Sequence, residues 1–184
     1  PQTPSPPADF NMREVVFGFS PTDYPGLQSA EKELEPYLQL WNWISEFHMN
    51  RNEYFTSPFL DLSANEIKED VTGKWKNSYK LAGKLEAENP DAAACAMKLR
   101  EETAEFKEHL PLIEALATPA LKDRHWDLIS TRIGEKLTPD DDLTLQHLIE
   151  IDAGAKIEEI QEVCVYAEKE YGLEKNLGLM KKEW

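Results

Sequence analysis

Residues 89–117, NPDAAACAMKLREETAEFKEHLPLIEALA, carry the cleanest apolar stripe in the chain: Ala92, Ala96, Leu99, Thr103, Phe106, Leu110, Ile113 and Ala117 recur at alternating steps of four and three. That spacing puts all eight on one face of an α-helix. Asn89 can cap it, and Pro90 suits a first helical position, where an amide is not needed. Pro111 is expected to bend the helix near its end.

Working upstream, Ser63 and Glu66 form a capping-box pattern ahead of the stripe Ile67, Val71, Trp75, Ala82 and Leu85, which predicts a helix to about Glu88. Before it, Leu27, Ala30, Leu34, Tyr37, Trp41, Ile44 and His48 share a third stripe, interrupted by Pro36 and ending near Tyr54. Trp41 and Trp43 lie two positions apart, so they cannot both enter one core. No segment alternates apolar and polar residues over strand length, so the fold class is all-α. Residues 27–118 are read as a spectrin-like bundle of three long antiparallel helices, in an elongated molecule. Residues 1–26 read as an extended or disordered arm, with four prolines in the first seven positions and an aromatic segment, Phe17, Phe19 and Tyr24, that pins it to the first helices.

Downstream, residues 119–184 read as a subdomain of shorter helices. The first runs from Ala120 to Ile133, capped by Thr118. A second starts at Thr138-Pro139 with Asp140, Asp141 and Asp142 in its first turn, where carboxylates complement the helix dipole and need no metal. A third covers Ile157 to Tyr171, and Leu173, Leu177, Met180 and Trp184 form a last stripe whose partner lies outside the sequence. The absence of an initial Met and the apolar end at Trp184 suggest a piece of a longer polypeptide, truncated within this subdomain.

The formal net charge of −15 leaves no basic excess for nucleic acid or anionic membrane, so neither is an expected partner. No apolar run approaches a bilayer span and the start lacks signal-peptide features, which suggests a soluble intracellular protein. Cys95 and Cys164 are far apart and outside any CxxC, and are read as two buried thiols. The glycine-lysine pairs at Gly73 and Gly83 do not complete a phosphate-binding loop. His48, His109, His125 and His147 make no helical zinc pair, and no nucleophile elbow is present. No catalytic, cofactor or metal residue is assigned.

The run PALKDRHW, 119–126, is the unusual one. Arg124, His125 and Trp126 are consecutive, so they fan around a helix and do not face one pocket. Together with LPLIEALATPALKDRHWDLIS, LTPDDDLTLQHLIE and AEKEYGLEKNLGLMKKEW, in that order and spacing, the chain resembles the linker region of dynein heavy chains. The likeness covers residues 14–184. The LEPYLQLW block ending at Trp41, and AEFKEHLPLIEAL, resemble single-headed inner-arm axonemal dyneins.

The resemblance implies the N-terminal part of a helical lever that lies across a ring of ATPase modules and drives microtubule-based movement in cilia or flagella. It implies Trp41, Trp75, Arg124, His125, Trp126, Tyr171 and Trp184 as structural signature positions rather than catalytic ones. ATP and Mg would belong to the parent motor, whose AAA+ ring and remaining linker are the expected partners. Microtubules would be met only through that motor, in the cytoplasm and cytoskeleton of the axoneme. Trp126 is expected to be a packing anchor and Arg124 to bond a carboxylate or helix end. Pliant joints are expected at the connections holding Gly134 and Gly154. The competing reading is a spectrin-like adaptor whose acidic, aromatic-rich face docks another protein.

Overall fold

The computed structural model describes residues 6–183. Among these residues there are eight α-helices, two 3-10 turns and no strand, so the chain is all-α. The chain divides into two compact units, with the boundary between Trp41 and Asn42.

The first unit holds α1 (Pro6–Val16) and the start of α2 (Pro25–Thr56). The proline-rich, apolar-poor start predicts an extended or disordered arm, and α1 forms over its described part. Pro6 and Pro7 fall in the first turn, where prolines do no harm, and Asp9 pairs with Arg13 one turn on, at 3.2 Å. Gly18, at φ +78°, closes the helix: its N–H donates to the Val15 carbonyl at 3.0 Å and that of Phe19 to the Glu14 carbonyl at 2.8 Å. The Glu14 carboxylate then accepts from Thr22 Oγ1 at 2.6 Å and Thr22 N–H at 2.7 Å, bonds that lower its pKa. Phe17 and Phe19 are exposed, so this clasp, and not the aromatics, fixes the segment.

α2 runs unbroken through Pro36. Its buried residues are Leu40 and Phe47, while Leu27, Leu34, Trp41 and His48 of the expected stripe are exposed. The helix carries large apolar residues on nearly every face between Leu34 and Phe47, and spacing alone selected the wrong one.

In the second unit, α3 (Ala64–Leu85) and α4 (Pro90–Lys107) start as their caps direct. Ser63 Oγ accepts from Glu66 N–H at 3.5 Å, and Asn89 Oδ1 from Ala92 N–H at 3.1 Å. Side-chain pairs give the directions. Glu46 reaches Lys74 and Asn50 reaches Asp70, so α2 and α3 are antiparallel. Trp75 meets Lys107 and Tyr79 meets Arg100, so α3 and α4 are antiparallel too. The C-terminal half of α2, α3 and α4 thus form an up-down-up bundle. Phe106 is its hub, with the rings of Phe47, Tyr54, Phe55 and His109 centred 5.7–6.4 Å away. Beside it lies a polar cluster the sequence did not suggest. Lys74, 6% exposed, pairs with Asp70, which accepts from Asn50 Nδ2 at 3.4 Å and Tyr54 Oη at 3.5 Å. Burial, then the Asp70 charge, pushes the Tyr54 phenol up to about 12.

The stripe from 89 to 117 does not form one bent helix. α4 ends at Lys107, and α5 (Leu110–Leu116) follows as a separate helix of about two turns. Pro111 lacks the amide that would bond Lys107, and its ring would strike that carbonyl.

α6 (Asp123–Ile133), α7 (Leu145–Glu150) and α8 (Ile157–Glu183) complete the chain. Three expectations change here. α6 starts at Asp123 rather than Ala120, with Thr118 Oγ1 accepting from Ala120 N–H in the preceding turn at 3.4 Å. No helix begins at Pro139; the start signal is Thr144, whose Oγ1 accepts from His147 N–H at 3.2 Å. Asp140 therefore sits in a loop, accepting from Thr138 Oγ1 at 2.6 Å, with its pKa lowered chiefly by that bond. α8 continues well past Tyr171, and Leu173, Leu177 and Met180 on it are exposed. A backbone bond from Phe59 N–H to the Leu143 carbonyl, 2.7 Å, joins the α2–α3 connection to the loop before α7.

Cys164 is buried, its thiol pushed up to about 11 by desolvation, but Cys95 is exposed on α4. A thiol reagent at pH 8 should titrate one cysteine rapidly in the native protein, and Cys95→Ser should abolish that fast phase. Asn89→Ala should lower unfolding free energy by about 1 kcal/mol in urea titrations, as loss of a helix cap does.

Candidate functional site: the α6–α8 seam

Lys122, in extended backbone, precedes α6, and its N–H donates to His125 Nδ1 at 3.1 Å. The imidazole thus takes the place usually filled by a Glu or Gln side chain at that position. A ring nitrogen that accepts carries no proton, so Nε2 holds the hydrogen and donates to Glu170 Oε2, 2.9 Å away on α8. One buried ring, 1% exposed, therefore fixes the start of one helix and grips another.

Arg124 Nη2 reaches the same Glu170 oxygen at 2.6 Å and Glu174 at 3.9 Å. Lys122 Nζ lies 2.5 Å from Glu174, and Arg132 Nη1 lies 3.5 Å from Glu162 and 4.0 Å from Glu159. Three cations along α6 and its cap face four carboxylates along α8, in opposite chain order, so the helices are antiparallel. The hydrogen bond from Arg124, aided by that from His125, holds the Glu170 carboxyl below its usual range and raises the Arg124 pKa. Beneath the charges, Trp126 at 3% exposure and Ile129 at 0% fill the interior.

Magnitudes decide which part holds the seam. Exposed ion pairs contribute about 0.2–1 kcal/mol each, whereas truncating a buried aromatic costs about 3–5 kcal/mol. Loss of the buried Trp126 side chain would therefore cost the fold more than loss of any one pair, and the charges set register. Consecutive Arg124 and His125 do fan apart, yet they converge on one carboxylate because Glu170 reaches between them.

Elsewhere, Gly134 ends α6 at φ +91°, and its N–H bonds the Ser130 carbonyl at 2.8 Å. Ser130 Oγ accepts from Leu137 N–H at 2.9 Å, closing that connection over buried Leu137. Gly154 lies in a 3-10 turn after Asp152, which holds φ +53°. Trp75 is half-buried between Arg100, 4.4 Å from its ring centre, and Lys107 at 3.8 Å. Trp41 is 64% exposed and Tyr171 44%; Trp184 lies outside the described residues. Among the described residues no group of three or more His, Cys, Asp or Glu side chains is placed to hold a metal ion, and no helix is long and apolar enough to cross a membrane. Lys122, Arg124 and Arg132 are each turned on carboxylates of α8, an arrangement suited to holding the two helices together.

Trp126→Ala should cost about 3–5 kcal/mol of unfolding free energy. Glu170, with its lowered pKa, stabilises the fold above the ordinary carboxylate pKa, and that contribution fades as pH falls through its folded value. Glu170→Gln should therefore flatten the acid limb of a plot of unfolding free energy against pH.

The model for "Dynein heavy chain, N-terminal region 2" matches residues 27–184, which contain the whole seam. Human dynein axonemal heavy chain 3 is 32% identical over 174 residues, and mouse dynein axonemal heavy chain 1 is 32% identical over 178, each alignment covering 95% of this chain. Human dynein axonemal heavy chain 12 is 26% identical over 178 residues. The chain spans only about 4% of the length of the first two relatives and 6% of the third. By the extent of the family match, this chain belongs to the dynein heavy chains, as part of their N-terminal region.

Proposed function

We propose that this chain is a segment of the mechanical linker of an axonemal dynein, of the single-headed inner-arm kind, and that it transmits force without performing chemistry. The observation that carries the reading is the seam: a buried tryptophan overlaid by ordered charge pairs, in the part of the chain the family match covers. Such a contact resists sliding of α6 along α8, because displacement by one turn would break the Lys122–Glu174 and Arg132–Glu162 pairs. In the parent motor the ring of the same heavy chain would bind ATP and Mg and the microtubule would be met elsewhere, so the partners of this segment are the rest of the linker and the ring, within a cilium or flagellum. Compliance is assigned to Gly134 and Gly154, the glycines at the connections flanking α7.

The test uses the whole heavy chain. Arg124→Glu sets a carboxylate against Glu170 and Glu174; it should slow microtubule gliding while ATP turnover by the ring persists. The exchange Arg124→Glu with Glu170→Arg should restore part of the speed. Unaltered gliding by a folded Arg124→Glu motor would indicate an adaptor instead of a lever.

A further inference from the structure

α3 contradicts the character of the rest of the chain. Against a net charge of −15, residues 71–85 contain four lysines and no carboxylate. Lys74 is consumed inside the bundle, but Lys76, Lys80 and Lys84 are exposed and four residues apart, so they form one row about 12 Å long on the helix surface. Among the described residues, no carboxylate oxygen lies within 4.0 Å of these three ammonium groups, although eight other lysines and arginines do make such pairs.

Beside the row, α3 and α4 enclose an open groove of about 580 Å³. Tyr79 and Lys80 form one wall, Met97 the other, and Ala82, Gly83 and Ala93 the floor. A Cβ added at Gly83 would meet nothing within 4 Å, so the floor is open where a helix would ordinarily carry a side chain. Tyr79 is 59% exposed, and its ring is braced by Arg100, 4.5 Å from its centre, which also covers Trp75. The groove is therefore a largely apolar slot with an aromatic wall, where Lys80 is the one cation and Glu86 the one acid in the lining.

We propose that this face docks an acidic amphipathic helix from another protein, one with carboxylates at four-residue intervals and a bulky aliphatic or aromatic side chain that enters the slot. Charge complementarity selects this occupant. A partner helix bearing Glu at successive fourth positions repeats at the same rise as the lysine row, so that the pairs form together once the apolar side chain is seated. Nucleic acid fits less well: three unpaired lysines on a strongly acidic body give a weak field for phosphates, and Arg100 and Lys107 already occupy the Trp75 ring that a base would need.

The test is a titration of the isotope-labelled chain with three probes. These are a synthetic helical peptide with Glu at three four-spaced positions and one Leu, its Glu→Gln counterpart, and a single-stranded oligonucleotide. The acidic peptide should shift the amide signals of Tyr79, Lys80, Gly83 and Met97. The triple variant Lys76→Gln, Lys80→Gln, Lys84→Gln should weaken it about tenfold, or about 1.4 kcal/mol, with a shallower dependence on salt. Gly83→Leu, which fills the slot while favouring the helix, should weaken it with the lysines intact. Equal binding of the Gln peptide, signals shifting elsewhere, no shifts at all, or tighter binding of the oligonucleotide would each overturn the proposal.

Discussion

One missing amide shapes the second unit. Because Pro111 cannot bond the Lys107 carbonyl, the long stripe that begins at Asn89 breaks after a single bundle helix. The short α5 packs on both α3 and α8. Leu112, Ile113 and Leu116 are all buried in it, and Glu114 reaches Lys68 of α3 at 2.6 Å. An uninterrupted helix would have carried these residues away along the bundle axis. The break turns them into a wedge, through which the bundle and the later helices share one interior.

Along the seam, two kinds of force have separate tasks. Apolar burial at Trp126 and Ile129 is large but tolerant of sliding, since a dispersion contact has little directional preference. The pairs from Lys122 to Glu174 and from Arg132 to Glu162 are individually small but positional. His125 belongs to both categories, being interior and fully bonded, and it couples the cap of α6 to a carboxylate on α8.

The sequence disclosed those features whose cause is local. Ser63 and Asn89 cap helices because their side chains reach backbone two or three residues on, and the periodicity around Phe106 survives because one face alone is apolar. In α2, Leu38, Leu40, Trp41 and Trp43 offer several faces, and only tertiary contact selects among them. The aspartates after Pro139 looked like a helix start, yet Thr144 had the same credentials. Lys74 with Asp70 carried a faint mark in its four-residue spacing, but nothing indicated that the pair would be interior. Glu170 and Glu174 are spaced to share a helix face, and the residues opposite, 45 to 52 positions earlier, follow only from the packing of α6 on α8.

The bond between Phe59 and Leu143, with the bridge from Pro58 to Thr144 beside it, ties together points 84 residues apart along the chain. On the proposed force-bearing role, tension along the end of α2 would have a shunt: it would reach the approach to α7 directly, bypassing α3, α4, α5 and α6. The bundle would then be a brace alongside that path, and its helices could vary in stability without lengthening the route that strain follows.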